Sequence, residues 1–449
     1  MSIQTVAFFA SYALAADPAP AEAAFPYPIE TRTLANGLTA HVVPMPSPGV
    51  AAVYVWMTVG SRDEIDAGRT GFAHFFEHLF FYGTPTLGGK EREQVLVRLG
   101  ADENAYTWND ETVYHAVIAA DRVDEYLAIQ ADVFQHLILT DADVRRESGA
   151  VYGEWRKGSS NPDQKVSETL WDLAFDAHTY GHDTIGWEAD IKAMPTAFEY
   201  AMAFHSRLYR PENARVLVVG DVKPEVVFAE IEKDFAPWQR GTEARPVIPV
   251  EPAQKGVRSV NVDWPSPTGA KVALGWKVPG NVPSDADNAA LALLAEMLFS
   301  DTGALHKRLV DDEKLVYEVT GSANYFVDPG LFVADATLKE PGDVTKVKDA
   351  IKEESAKFGA FSDAALLDKT RERMRNLKLL EIDDPDETAN ALGFLMRRGG
   401  TDAWNVWDAS LRKVTPAEVA RVAKTYLVDD GLTIVTLTPP PEAPVGGAP

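Results

Sequence analysis

The chain has 449 residues, 46% of them hydrophobic, and a formal net charge of −24 at pH 7, so it has material for two or three ordinary domains with substantial cores. The negative balance argues against nucleic acid as a partner, since that binding relies on Lys and Arg neutralising phosphates, and no apolar run reaches the roughly 18–20 residues of a membrane span. The absence of Cys excludes a disulfide framework, a thiol nucleophile and thiolate metal ligands.

At the N-terminus, Val6 to Ala15 is apolar and ends in the cleavage-like triplet Ala13-Leu14-Ala15. It has the outline of a secretory signal peptide without the basic n-region. We therefore expect residues 1–24 to be a signal peptide and flexible mature start, and the protein to be periplasmic or otherwise exported.

His74, Glu77 and His78 follow as the segment His-Phe-Phe-Glu-His. On a helix, positions i, i+3 and i+4 share one side, so two imidazoles can grip one metal ion while the carboxylate faces the same space. H-x-x-E-H is the inverted form of the commoner zinc-peptidase helix motif. Neutral imidazole binds Zn²⁺ at about 2.0–2.1 Å. The ion lowers the pKa of a bound water from about 15.7 toward 7, and a nearby carboxylate can take the proton. Phe72, Phe75, Phe76, Leu79, Phe80 and Phe81 crowd the rest of this helix. Two buried histidines beside a buried glutamate need compensation, which a metal supplies; the bland alternative is a hydrogen-bonded structural cluster.

Thr140 to Arg156 reads as a helix opened by a Thr140 or Asp141 cap. Glu147 and Glu154, seven apart, share one face of it. A catalytic zinc site takes three protein ligands, and spacing alone leaves either glutamate, or a merely solvated acidic face. His178 and His182 flank Tyr180-Gly181 in a loop and read as ordinary loop histidines ahead of a second metal site.

The chain repeats itself weakly. Tyr209, a short turn and Val216 to Val219 return as Tyr426, a turn of the same length and Thr433 to Thr436, an offset of 217 residues. Between them, Arg240 to Gly256 carries three prolines and two glycines and reads as a linker, placed at 241–256. β-Branched strands alternate with amphipathic helices such as Asp287 to Phe299. The pattern indicates an α+β fold of two homologous domains, 25–240 and 257–438, each with helices packed on a mixed, mainly antiparallel sheet. Eight of the nine His lie at or before position 205, so the second domain is expected to lack the metal site. Residues 439–449 form a Pro-rich tail.

H-x-x-E-H followed 76 residues later by the second Glu of an E-x6-E pair resembles the pitrilysin/insulinase/mitochondrial-processing-peptidase family of zinc metallopeptidases, in its bacterial two-domain form. Leu38 to Val43 and Val53 to Glu64 resemble the family's opening strands. Gly100 to Thr107 resembles its substrate-binding edge strand, and Tyr209 to Asp221 the strand closing its first domain. The resemblance implies a zinc metalloendopeptidase with one Zn²⁺ per chain, held by His74, His78 and Glu154, with Glu147 orienting the site. It implies that Glu77 is general base toward water and then proton donor to the leaving amine. An extended peptide would pair at Asn104 and Ala105, with Tyr317 touching it, inside a clamshell-like chamber completed by the second domain. One departure stands out: the Arg that family members often carry seven residues before that Tyr is here Val310. We therefore expect the catalytic subunit of a heteromeric peptidase, whose homologous partner lacks the zinc motif but carries that Arg and Tyr, or else a homodimer. The competing expectation is a non-catalytic structural or peptide-binding subunit of the same family.

Overall fold

The computed structural model describes residues 24–439; the expected signal peptide and most of the Pro-rich tail lie outside the described residues. The strands form two sheets of one plan. In the first, β1 (Glu30–Thr33), β2 (Thr39–Pro44), β6 (Ala214–Gly220), β3 (Val50–Met57), β5 (Thr112–Ala119) and β4 (Asp102–Thr107) lie side by side in that order. In the second the order is β7 (Arg258–Asp263), β11 (Leu432–Thr438), β8 (Lys271–Val278), β10 (Gly330–Leu338) and β9 (Val316–Ser322). All pairings are antiparallel except β2 with β6 and β7 with β11. Leaving out β1, strand order and direction match position for position, which bears out the α+β, mainly antiparallel fold expected from the sequence. In both sheets one outer strand, β4 or β9, leaves a row of backbone groups unpaired.

The continuous apolar run of β3 is buried along all but its first residue, because both faces of the first sheet are covered. One face packs on the helices of its own half. A helix from the far end of the chain, Pro385–Gly399, covers the other, setting Leu392, Leu395 and Met396 against Tyr54, Trp56 and Leu217. The second sheet is treated reciprocally: Pro162–Ala174 lays Val166, Leu170 and Ala174 on Ala273, Val435 and Leu437. Both helices have Pro at the first position and an Asx residue, Asn161 or Asp384, accepting backbone N–H bonds at the N-cap. Each half is thus finished by a helix of the other.

A partly buried polar network joins the same surfaces. Asp328 accepts from Arg62 Nε at 2.6 Å and pairs with His178 Nε2 at 3.0 Å. Asp110 accepts from Tyr180 Oη at 2.7 Å and from the Val327 N–H at 2.9 Å. Residues 241–256 carry no helix or strand but are pinned at two points. Arg245 forks onto Asp63, and Glu251 accepts the N–H groups of Asp176, Ala177 and His178.

The helix expected to be amphipathic near Asp287 spans Ala286–Phe299 and is buried on nearly every side. It packs against β9 and the later helices Ala364–Leu380, Ala403–Lys413 and Pro416–Tyr426, among others, and its Ala- and Leu-rich composition leaves no wide polar face. Among the described residues no helix is long and apolar enough to cross a membrane.

Candidate metal centre

The histidine motif occupies a helix, Phe72–Leu79, whose Phe72, Phe75, Phe76 and Leu79 point into the first core. That face fixes the other, which carries His74, Glu77 and His78. The helix begins at Gly71, whose φ of +87° and close approach to the Ile185 carbonyl admit only glycine. Glycine offers no capping side chain, and Glu64 supplies one from a preceding loop, accepting from Gly71 N and Ala73 N at 2.7 Å each. These are N–H groups the first turn leaves without helical partners. A second helix, Asp141–Gly158, begins with Thr140 and Asp143 in a reciprocal capping box, and presents Glu147 and Glu154 to the histidines.

His74 Nε2 and His78 Nε2 lie 3.3 Å apart, and Glu154 Oε2 is 3.6 Å from the first and 3.5 Å from the second. Ligands about 2.0–2.1 Å from a tetrahedral zinc are themselves about 3.3–3.4 Å apart, so the triangle has the size such an ion requires. Two imidazole nitrogens aimed at one another need a cation or a proton between them. Two nitrogens and one carboxylate oxygen also match the donor set of catalytic zinc. Among the described residues, His74, His78 and Glu154 are the group of potential ligands that converges in this way.

Glu147 stands behind the triangle. Its Oε1 accepts from His78 Nδ1 at 2.8 Å and its Oε2 from Tyr82 Oη at 2.6 Å, so of the two glutamates left open by spacing only Glu154 faces both Nε2 atoms. The hydrogen bond to Glu147, reinforced by Glu154, raises the metal-free His78 to about 10, whereas burial lowers His74 to about 4. A cation entering the triangle must displace the His78 proton. Burial raises the Glu77 carboxyl above its ordinary range, opposed by the Thr107 hydroxyl, which donates to Glu77 Oε2 at 2.6 Å, and by His78.

Asn104, Ala105 and Thr107 lie on β4, the open edge of the first sheet. The Ala105 N–H donates to Asn104 Oδ1 at 2.9 Å. Tyr317 belongs to β9 of the other sheet, is 66% exposed and has Lys339 Nζ 5.8 Å from its ring; no hydrogen bond ties it to the triangle among the described residues. Val310 packs against the second core from a π-helical turn, Lys307–Asp312, and Arg308 is engaged by Glu313, Glu353 and Glu354. His178 is taken by Asp328, and His182 Nδ1 lies 3.0 Å from the Asp183 carbonyl.

Three contacts here escape a motif search. Tyr82 follows His78 by four, the one local signal on offer. Thr107 and Glu64 reach the helix from loops and strands, and nothing in their spacing announces it.

Residues 44–187 match the family model described as insulinase (peptidase family M16), and residues 198–374 the model described as peptidase M16 inactive domain. A zinc protease of Helicobacter pylori, PqqE, is 28% identical over 425 residues, covering 91% of this chain and 93% of the relative. A probable mitochondrial-processing peptidase subunit beta of Arabidopsis thaliana is 27% identical over 432 residues, covering 92% and 80%. Among solved structures, a protease from Helicobacter pylori superimposes with a TM-score of 0.86 at 28% identity, covering 92% of this chain and 100% of that one. With the inverted motif set in this fold and these relatives alongside, the chain belongs to the insulinase family, peptidase family M16.

Proposed function

We propose that this chain is a zinc metalloendopeptidase, with His74, His78 and Glu154 as ligands of one zinc and Glu77 as general base. The observation that carries the reading is the triangle of Nε2, Nε2 and Oε2 atoms at 3.3–3.6 Å beside the half-buried carboxylate of Glu77. Zinc held there supplies Lewis acidity toward a water and toward the scissile carbonyl. The peptide pairs in extended form with the open edge of β4 at Asn104 and Ala105 through main-chain hydrogen bonds, a mode that reads backbone more than side chain. Glu77 takes the water's proton at Oε1, since Oε2 is held by Thr107, and returns it to the leaving amine nitrogen. Glu147 holds His78 through Nδ1.

The test is cleavage of an unstructured peptide with and without a chelator, alongside Glu77→Gln. Activity that chelator removes and zinc restores, with Glu77→Gln metal-loaded but inert, is the expected result. A non-catalytic subunit would show no cleavage by the unaltered chain under any condition. A partner is the second part of the reading. Val310 cannot hold a peptide carbonyl or a developing oxyanion, and one relative is named as a subunit. A homologous chain that lacks the zinc motif but carries that Arg and Tyr would supply the absent Arg across an interface. Weak cleavage by the isolated chain that rises when the partner is added supports this; full activity of the isolated monomer removes it.

A further inference from the structure

We infer that Tyr82 is a positioning residue for the metal centre: its hydroxyl locks the Glu147 carboxylate, and through it the ring of His78, in the orientation that aims His78 Nε2 at the cation. This rests on the metal-site reading above and extends it by one residue.

The row His74, His78, Tyr82 has the i, i+4, i+8 spacing of one helical face, and the short 3-10 turn Phe80–Tyr82 continues the histidine helix far enough to keep that register. Tyr82 is therefore brought opposite the same turn of Asp141–Gly158 that faces His78. Its Oη donates to Glu147 Oε2 at 2.6 Å while Glu147 Oε1 accepts from His78 Nδ1 at 2.8 Å. The terminal torsion of a glutamate is soft and roughly two-fold, so a single hydrogen bond leaves the carboxylate plane free to swing. Two donors on its two oxygens, from side chains on one helix face, fix that plane and with it the direction of the His78 Nδ1–H.

Tyr82 is itself held. Arg146 Nε donates to Tyr82 Oη at 3.1 Å and its guanidinium carbon lies 4.8 Å from the ring centroid, while Asp143 anchors the same guanidinium at 2.9 Å. A cationic donor on the phenol oxygen polarises the O–H toward Glu147 and strengthens that bond. Burial and the Glu147 contact also hold the phenol pKa above its ordinary value, so it remains a donor. The order of action runs Arg146, Tyr82, Glu147, His78, and only the last touches the ion. Outer partners of this kind typically set metal affinity by about 10–100-fold at the first remove. One step further out, the effect of Tyr82 is expected at about three- to tenfold.

The experiment measures the zinc dissociation constant of the full chain by competition with a chromogenic chelator, and the zinc release rate, for the unaltered chain, Tyr82→Phe, Glu147→Ala and Tyr82→Phe/Glu147→Ala. Tyr82→Phe deletes one oxygen and keeps the ring. The expected result is zinc affinity weakened about three- to tenfold and faster release, with an unchanged melting temperature of the metal-free protein and no further loss when the change is made on Glu147→Ala. Affinity within about twofold of the unaltered chain, or a loss that persists on Glu147→Ala, overturns the inference. If Tyr82→Phe does not fold, Arg146→Met, at an exposed position, decides instead: weaker zinc binding that disappears on Glu147→Ala supports the relay, and unchanged binding overturns it. An unaltered chain that takes up no zinc would instead remove the metal-site reading, and this inference with it.

Discussion

Thr107 donates its hydroxyl hydrogen to Glu77 Oε2 at 2.6 Å, and that bond joins the proposed base to the strand on which a peptide would lie. Thr107 ends β4, two residues beyond Ala105. The position of the base is therefore set by the same backbone that would set the register of the substrate, and a shift of one would carry the other with it.

Replacing Thr107 with Val should leave zinc content and KM near their starting values and lower kcat by about tenfold, since misplacing a reacting group by a fraction of an ångström is costly. Thr107→Ser, which keeps the hydroxyl, should recover most of the rate. Equal kcat in all three proteins, measured on one peptide, would show that Glu77 needs no such support.

Glu154 and Glu147 should separate cleanly in metal analysis. Glu154→Gln removes a charged donor that faces both Nε2 atoms and should strip most of the zinc. Glu147→Gln, acting through His78 Nδ1, should weaken binding by about 10–100-fold. The reverse ranking in equilibrium dialysis would exchange the two roles.

The fold and the centre differ in how much of each is legible in the sequence. The triad His74, Glu77, His78 was legible because helical periodicity converts spacing into direction. The repeat was legible because Tyr209 and Tyr426 close equivalent units ahead of β6 and β11. Choosing Glu154 over Glu147 was not possible from spacing, because residues seven apart share a face and only the second helix's placement separates them. The crossed helices Pro162–Ala174 and Pro385–Gly399 were hidden for a related reason: each has an apolar face, but nothing local says that it serves the other half's sheet. Thr107 and Glu64 act over long sequence separations and leave no periodic trace.

Gly393 should not tolerate a side chain. It lies where the Pro385–Gly399 helix crosses the first sheet, and a Cβ there would run into the Trp56 indole. That ring is almost wholly buried on a central strand, with Gly393's helix against it. Gly393→Ala gains helix propensity of about 1 kcal/mol, yet overpacking of this kind costs about 1–3 kcal/mol or more. Net destabilisation in urea unfolding is expected, with the loss relieved by Trp56→Phe in the same chain. A stabilised Gly393→Ala would mean that the helix lifts away without penalty.

His205 should make the protein acid-sensitive. Its ring is half-buried among Phe76, Phe80 and Tyr209, its Nε2 is shielded from solvent without a partner among the described residues, and that desolvation lowers its pKa from 6.5 to about 4. A group whose folded pKa is depressed binds fewer protons folded than unfolded, so its contribution is intact above about 6.5 and is lost as the pH falls toward 4. At about 1.4 kcal/mol per pH unit the loss from this residue alone is roughly 3 kcal/mol across that window. His205→Phe fills the same aromatic slot without a titratable ring. Its stability at pH 7 should stay within about 2 kcal/mol of the unaltered chain, and the slope of unfolding free energy against pH between 6.5 and 4 should fall by about one proton's worth. Identical slopes for the two proteins would mean that His205 finds a proton-accepting partner in the folded state.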